Sequence, residues 1–410
     1  MLFRIVFLAA LFGIDLYGYA AIRQLLSGSS RRARRLFALG WWAVPALSLA
    51  YVLAVATSGD PSLRSGGWTL VGAAIFIAYL GKLVLVAFLL LDDARRVSAA
   101  ALRYLGPRSS TVYWPDRSRF LTQVAVLAGS LPAVVLSYGI VRNAYRYEVR
   151  EVDVPLVGLP PKLSGLRVAH ISDIHSGSFW RRAPIRDGVR ALNDLAPDVV
   201  CFTGDLVNAR ASEIEPFIDI FSRIEARLGT YSIIGNHDYG DYVSGWTATD
   251  KEANWQRLYR NHERLGWDLL LNEHRVLDVD GEPLAILGVE NWSTIGRFPR
   301  TGDLRAAGAG TEGIATKILL SHDPTHWDAE VRASPLDIQL QLSGHTHGFQ
   351  FGVEIPGVRW SPSQYIYEQW AGLYTKGRQH LYVNRGFGFL GYPGRVGILP
   401  EVTLLRLIAA

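Results

Sequence analysis

The stretch LRVAHISDIHSG, Leu166–Gly177, reads as a short apolar strand that stops at a carboxylate, Asp173, and an imidazole, His175, one residue apart. The same device recurs along the chain. DVVCFTGD ends at Asp205, TYSIIGNHD at Asn236, His237 and Asp238, ATKILLSHDP at His322, and LDIQLQLSGHTHGF at His345 and His347. In an α/β fold, residues at the carboxyl ends of neighbouring strands converge on one crevice. Residues two apart in an extended segment point to one side, so Asp173 with His175, and His345 with His347, are each expected to present two side chains to a common pocket. Gly204, Gly235 and Gly344 are expected to let the backbone turn sharply just before each polar residue.

Between these strands lie helical patterns near 182–195, 212–227 and 250–264, a βαβαβ rhythm that implies a sheet covered by helices. The rhythm then changes. HRVLDVDGEPLAILGVEN reads as a hairpin around Asp280-Gly281, and ATKILLSH, LDIQLQLSGH, HLYVNRG and EVTLLRLI read as further strands of a second sheet richer in antiparallel pairs. The aromatic run RWSPSQYIYEQW reads as packing or as a contact with a membrane surface or lipid tail. NRGFGFLGYPGRVG is turn-rich and lacks the context of a phosphate-cradling loop, although Arg385 within it is a candidate phosphate contact.

Upstream the composition is different. Hydrophobic residues make up 49% of the 410 residues and charged residues 19%, which directs attention to a membrane region. Four apolar stretches near 5–22, 36–57, 69–91 and 120–141 are each long enough to cross roughly 30 Å of hydrocarbon as helix. Asp15 interrupts the first and three more follow, so that stretch is read as a span rather than a cleaved signal, and RRLFAL behind it as flanking charge. Asp15 and Lys82 are charges inside spans and are expected to pair across helices.

Arginines set the orientation. The first connection holds Arg23, Arg31, Arg32, Arg34 and Arg35, and the third holds Arg95, Arg96, Arg103, Arg108, Arg117 and Arg119, whereas the second holds only Arg64. The positive-inside rule makes the first and third connections cytoplasmic and places everything after the fourth span outside the cytoplasm. These loops explain most of the net charge of +5, so no nucleic-acid partner is expected, and the sequence points to no protein partner. The lone Cys201 forms no intrachain disulfide and reads as a buried small residue. The expected organisation is a transmembrane region at 1–141, a linker and first strand at 142–160, and an α/β domain at 161–410.

Carboxylate, amide and imidazole donors suit Mn²⁺, Fe, Zn²⁺ or Mg²⁺, and the ligand types do not choose among them. Taken together, D-x-H, G-D, G-N-H-D, H and G-H-x-H, in this order and at strand ends, resemble the calcineurin-like metallophosphoesterase superfamily. The tail segments EQWAGLYTKGRQHLYVNRGFG and GRVGILPEVTLLRL are similar to its membrane-anchored bacterial branch. The resemblance implies a four-layer α/β/β/α sandwich and a centre of two divalent metals. Asp173, His175 and His347 would hold one metal, Asn236, His322 and His345 the other, and Asp205 would bridge them. His237 would contact the phosphate and protonate the leaving oxygen, with Asp238 orienting it.

The implied chemistry is in-line attack of a metal-bridging hydroxide on a phosphomonoester or phosphodiester, at two cations roughly 3.5–4 Å apart. A membrane anchor makes an envelope lipid or a nucleotide-linked lipid an attractive substrate; a phosphoprotein phosphatase and a non-catalytic signalling protein on the same fold are the alternatives. One departure from the pattern is Phe349, where relatives commonly carry a second glycine after the G-H-x-H turn. The remaining histidines, His170, His262, His274, His326 and His380, are assigned structural roles.

Overall fold

The computed structural model describes residues 2–58, 67–105 and 115–410; Arg64 and Arg108, used above for orientation, lie outside them. The chain divides into two compact units, Met1–Tyr138 and Gly139–Ala410.

The first unit is helical: α1 (Leu2–Leu25), α2 (Arg31–Ser58), α3 (Trp68–Leu105) and α4 (Pro115–Tyr138). Among the described residues three helical segments are long and apolar enough to cross a membrane, Arg31–Thr57, Trp68–Leu102 and Arg119–Asn143. Helix α3 does not stop where its apolar run ends at 91. Arg95 and Arg96 both reach back to Asp92, at 2.9 Å each, and such (i, i+3) and (i, i+4) pairs support helix beyond the hydrophobic stretch. Asp15 of α1 and Lys82 of α3 meet, with Lys82 Nζ 2.5 Å from Asp15 Oδ1. Tyr79 donates to the other carboxylate oxygen at 3.0 Å, and the ammonium lies 4.5 Å from the centre of the Trp41 ring. Both Asp15 carboxylate oxygens and the Lys82 ammonium therefore have a partner.

The second unit holds two six-stranded sheets. The first has the order β1 (Glu148–Leu156), β14 (Glu401–Ala409), β2 (Arg167–Ile171), β3 (Val199–Phe202), β4 (Thr230–Ser232), β5 (Asp268–Leu269). The second runs β12 (Gly372–Lys376), β13 (Gln379–Val383), β9 (Leu340–Ser343), β8 (Thr316–Leu320), β7 (Glu282–Gly288), β6 (Glu273–Val279). A separate ribbon pairs β10 (Val353–Ile355) with β11 (Val358–Trp360).

Alternation along each strand divides the residues between layers. Val168, Val199, Leu405, Ile318, Leu320 and Leu342 meet in the cluster between the sheets. Their neighbours Ala169, Val200, Phe202 and Leu404 face outward under α5 (Ala183–Asn193), α6 (Ile218–Phe221) and α7 (Ala248–Leu265). On the far side Ala285, Leu287 and Leu319 pack beneath α8 (Leu304–Gly308) and α9 (Thr325–Ala329). The architecture is thus α/β/β/α, in four layers.

Helix α7 shows how locally the sequence specifies its elements. Thr247 accepts the Asp250 N–H at 3.1 Å as N-cap, and Gly266, at φ 73°, closes the other end. The helix expected at 212–227 is instead a 3₁₀ segment, Ala211–Phe217, followed by the single turn of α6. Pro216 is the reason, because it lacks an N–H and its ring clashes with the carbonyl four residues earlier. The last strand also departs from expectation. β14 joins the first sheet, parallel to β1 and antiparallel to β2, rather than the second. The second sheet carries antiparallel pairs at β6–β7 and β12–β13 with parallel pairs between them.

Removing one partner of the Asp15–Lys82 pair strands the other charge, a loss of roughly 3–5 kcal/mol for buried pairs. Asp15→Ala and Lys82→Ala should each lower the melting temperature of the detergent-solubilised protein, and Asp15→Leu with Lys82→Leu should recover most of it. A double variant no better than the singles would show that the pair is not the unit being lost.

Candidate metal centre

Strands β2, β3, β8 and β9 all end at one place, and the residues that follow them carry the polar side chains picked out by the sequence. Two groups form. Asp173, His175 and His347 bring ligand atoms within 4.8 Å of one another, and Asp205, His322 and His345 do the same. His347 Nε2 lies 3.2 Å from Asp173 Oδ1, and His345 Nδ1 lies 3.1 Å from His322 Nε2. Asp205 Oδ2 stands between the groups, 3.2 Å from His322 Nε2 and 3.5 Å from His175 Nε2.

The convergence has a different local cause from the one expected. Asp173, His175, Asp205, His345 and His347 all have positive φ, between 46° and 69°, so none lies in extended backbone. Left-handed conformations cost these residues on the order of 1–3 kcal/mol each and persist only where the surroundings enforce them. Of the three glycines, Gly204 alone has positive φ, at 91°. Gly235 and Gly344 are needed for room, since a Cβ on Gly235 would lie 2.2 Å from an Asp205 oxygen and one on Gly344 2.2 Å from an Asp173 oxygen.

Several buried polar atoms here have no hydrogen-bond partner: both ring nitrogens of His175, Nε2 of His347 and Oδ1 of Asn236. Unpaired buried acceptors are expensive, and a cation is the partner that suits this donor set. Asn236 is held by its amide nitrogen, which donates to Tyr242 Oη at 2.8 Å, leaving its carbonyl oxygen for an ion. His322 Nδ1 faces the Thr203 carbonyl at 2.7 Å, which leaves Nε2 turned towards Asp205 and free to take an ion.

Charge follows from this packing. Burial opposes ionisation of Asp173 and Asp205, but His347 beside the first and His322 beside the second hold both carboxyls well below the usual range. Burial lowers His175, His345 and His347, while nearby carboxylates oppose that shift. Burial also opposes charge on His322, yet the Asp205 carboxylate, with Asp173 and the Thr203 carbonyl, raises it from 6.5 to about 10.

His237 sits at the edge of the centre, its ring edge-on to His175 and stacked on Tyr242 at 4.3 Å. Its Nδ1 faces the Asn208 carbonyl at 2.7 Å. Asp238 is not its orienting partner, contrary to expectation. The Asp238 carboxylate instead accepts from the backbone N–H groups of Asp205, Leu206, Val207 and Gly235, at 2.8–3.2 Å, and so clips the two ligand loops together. Burial, then the nearby Asp205 charge, push Asp238 up to about 7.

Arg385 is not a phosphate contact either, because its guanidinium is buried between Glu401, at 2.5 Å, and Glu354, at 2.6 Å. Arg395, also fully buried, donates to the carbonyls of Arg385, Gly386, Gly388 and His347 and fastens the loop behind the site. The five other histidines lie outside both groups, each bonded within the fold: His170 to Thr203, His262 to Ser232, His274 to Ala307, His326 to Ser321 and His380 to Thr375. Cys201 is buried between the sheets.

The centre opens into a cleft of about 690 Å³ whose wall includes Tyr242, Arg297, Phe298, Phe349, Tyr367 and Tyr392. Sequence reasoning missed Arg297 and Asp323. Arg297 is the cationic side chain lining the cleft among the described residues, and nothing around it in sequence marks it. Asp323, directly after His322, places Oδ2 3.5 Å from His345 Nε2; adjacency to a ligand was the available signal. Phe349 adopts φ 50°, a conformation that glycine takes without cost, and it is partly exposed and lines the cleft.

Comparison with known proteins places these features. Residues 1–144 match the family described as "Probable Calcineurin-like phosphoesterase, transmembrane domain", and residues 166–349 match "Calcineurin-like phosphoesterase". A transmembrane protein with metallophosphoesterase domain from Bos taurus is 33% identical over 300 residues, 72% of this chain and 65% of the relative. The Bacillus subtilis metallophosphoesterase YkuE is 28% identical over 306 residues, 71% of this chain and 97% of the relative. The Chlamydia trachomatis UDP-2,3-diacylglucosamine pyrophosphatase LpxG is 28% identical over 294 residues, covering 61% and 87%. The chain spans less than two thirds of the length of the vertebrate relatives it matches.

The raised His322 has a measurable sign. In the metal-free protein its proton contributes stability that is complete below 6.5 and is lost as pH rises through about 10. Near neutral pH a metal must displace that proton, so affinity should rise with pH and binding should release about one proton from His322. Calorimetry of the metal-free protein in buffers of different ionisation enthalpy reads this directly, and His322→Gln should abolish that proton. Proton release identical in the variant would refute the assignment.

Proposed function

The chain belongs to the calcineurin-like phosphoesterases, and from the geometry of its ligand set we propose that it is a membrane-anchored, metal-dependent phosphoric ester hydrolase. The observation that carries this reading is Asp205, one of whose carboxylate oxygens is within 3.2 Å of His322 Nε2 and 3.5 Å of His175 Nε2, in reach of both ligand groups. In this reading Asp173, His175 and His347 hold one divalent ion, Asn236, His322 and His345 hold the second, and Asp205 is shared. When bound, the ions supply Lewis-acid polarisation of the phosphoryl oxygens and a nucleophile from water at neutral pH.

The protein's own residues do the rest. The Asn208 carbonyl engages His237 at Nδ1, so Nε2 is the nitrogen available to substrate. Protonated there, His237 donates to the leaving oxygen, a contribution of about 10²–10⁴-fold. Stacking on Tyr242 holds the ring in place, and Arg297 supplies positive charge to the part of the substrate beyond the metals.

The substrate in this reading is a phosphomonoester or phosphodiester borne by an envelope lipid or nucleotide-linked lipid. Two things support that class: the membrane-spanning region, and likeness to a relative named for a UDP-diacylglucosamine pyrophosphatase. The catalytic module comprises 161–410, entered through 142–160, with the membrane region at 1–141. The arginine-rich first and third connections support an extracytoplasmic module.

Purified protein with Mn²⁺ should hydrolyse bis-p-nitrophenyl phosphate. His237→Ala should lower kcat by about 10²–10⁴-fold with bound metal unchanged. No turnover with any divalent metal would remove the hydrolase reading, and unaltered kinetics in the variant would remove the role of His237. For orientation, a reporter fused after Ala410 should be active only outside the cytoplasm; cytoplasmic activity would reverse the topology.

A further inference from the structure

The β10–β11 ribbon has its two faces in an unusual arrangement. Residues directly opposite on paired strands share a face, so the register Val353↔Trp360 and Ile355↔Val358 gathers four apolar side chains on one side. Phe351, two residues before Val353, extends the same side, and its ring lies 6.4 Å from that of Trp360. The other side carries the pair Glu354↔Arg359.

That polar side is the one fixed to the body of the domain. Glu354 accepts from Arg385 at 2.6 Å and from Arg150 at 3.0 Å. Arg359 donates to the Ala371 carbonyl at 2.8 Å, with its guanidinium over the Trp370 ring at 5.3 Å. Anchored in this way, the ribbon cannot turn its apolar side inward. Ile355 is accordingly 58% exposed and Val358 49%, and Tyr365 and Ile366 continue the exposed patch.

At its other end the patch reaches the metal cleft. Phe349 is two residues from Phe351, is 42% exposed, and lines the cleft. Trp360 and Tyr365 meet through their polar tips, Nε1 donating to Oη at 3.3 Å, and such rings favour the boundary between lipid and water. A bilayer is the apolar phase that a chain with membrane-spanning helices has permanently within reach.

We infer that the apolar face of the β10–β11 ribbon is a membrane-surface contact, which seats in the bilayer interface and holds the cleft mouth at the level of lipid head groups. The inference rests on the hydrolase reading only for its consequence: esters presented in the bilayer reach the centre more readily than soluble ones. An extended patch of this kind, left in water, would otherwise favour aggregation.

The full chain in phosphatidylglycerol nanodiscs tests it without turnover. Cys201 is buried, so a nitroxide can be placed selectively on Ile355→Cys, with Arg190→Cys as an exposed reference. The label at 355 should collide readily with oxygen and poorly with a water-soluble nickel chelate, the reverse of the label at 190. Equal access of the chelate to both positions would overturn the inference, as would protection that disappears when each disc holds one copy.

A second arm uses hexadecyl and methyl p-nitrophenyl phosphate with Mn²⁺. Ile355→Asp with Val358→Asp should reduce the rate on the hexadecyl ester in the disc by about tenfold and leave the methyl ester unchanged. Equal loss on both esters would overturn the ribbon's role; no hydrolysis by the unmodified chain would instead fault the hydrolase reading, leaving the label result to stand by itself.

Discussion

The Asp205 carboxylate, buried among imidazoles and almost without access to water, must be matched by positive charge, and much of the second unit is arranged around that requirement. In the metal-free state a proton on His322 meets part of it. Asp173 adds a second buried carboxylate, against the His347 ring. An interior of low dielectric magnifies both the cost of such charges alone and the gain when cations join them. Asp173, His175, Asp205, His345 and His347 also carry left-handed backbone, whose cost the surrounding packing must meet.

Holding those residues takes a rigid surround. Asp238 ties the loop after β3 to the loop after β4 through four backbone N–H groups. Arg395 gathers four carbonyls behind His347, and Arg385 joins Glu401 to Glu354. None of these groups reaches the ions in the proposed arrangement. Their common effect is to remove freedom from the residues that do.

The clustering of these polar residues was legible because strand ends were marked by apolar runs followed by a polar side chain, a signal that survives in one dimension. The place of β14 in the first sheet was not, since nothing local tells it that it will lie between β1 and β2. Asp238 and Arg385 were misread for a related reason. A motif names residue types, but whether a carboxylate faces an imidazole or a row of backbone amides depends on loops more than thirty positions apart. Pro216 was visible and its consequence was local, so the broken helix at 212–227 could have been anticipated. Gly235 and Gly344 show the opposite case, in which the residue was noticed and the reason, space beside a carboxylate rather than a turn, required coordinates.

The place of β14 also bears on how the protein is made. β1 pairs with it from Glu148↔Glu401 onward, and β2 pairs with its other edge, so the place between β1 and β2 is filled by residues separated from β1 by most of the domain. During synthesis β1 and β2 emerge early, and each has an open edge until 401–409 arrive. Such edges are templates for wrong pairing, and a contact of this sequence separation forms slowly. Until its last strand pairs, the nascent domain therefore carries two unsatisfied strand edges, and the folding of its first sheet is tied to the arrival of 401–409.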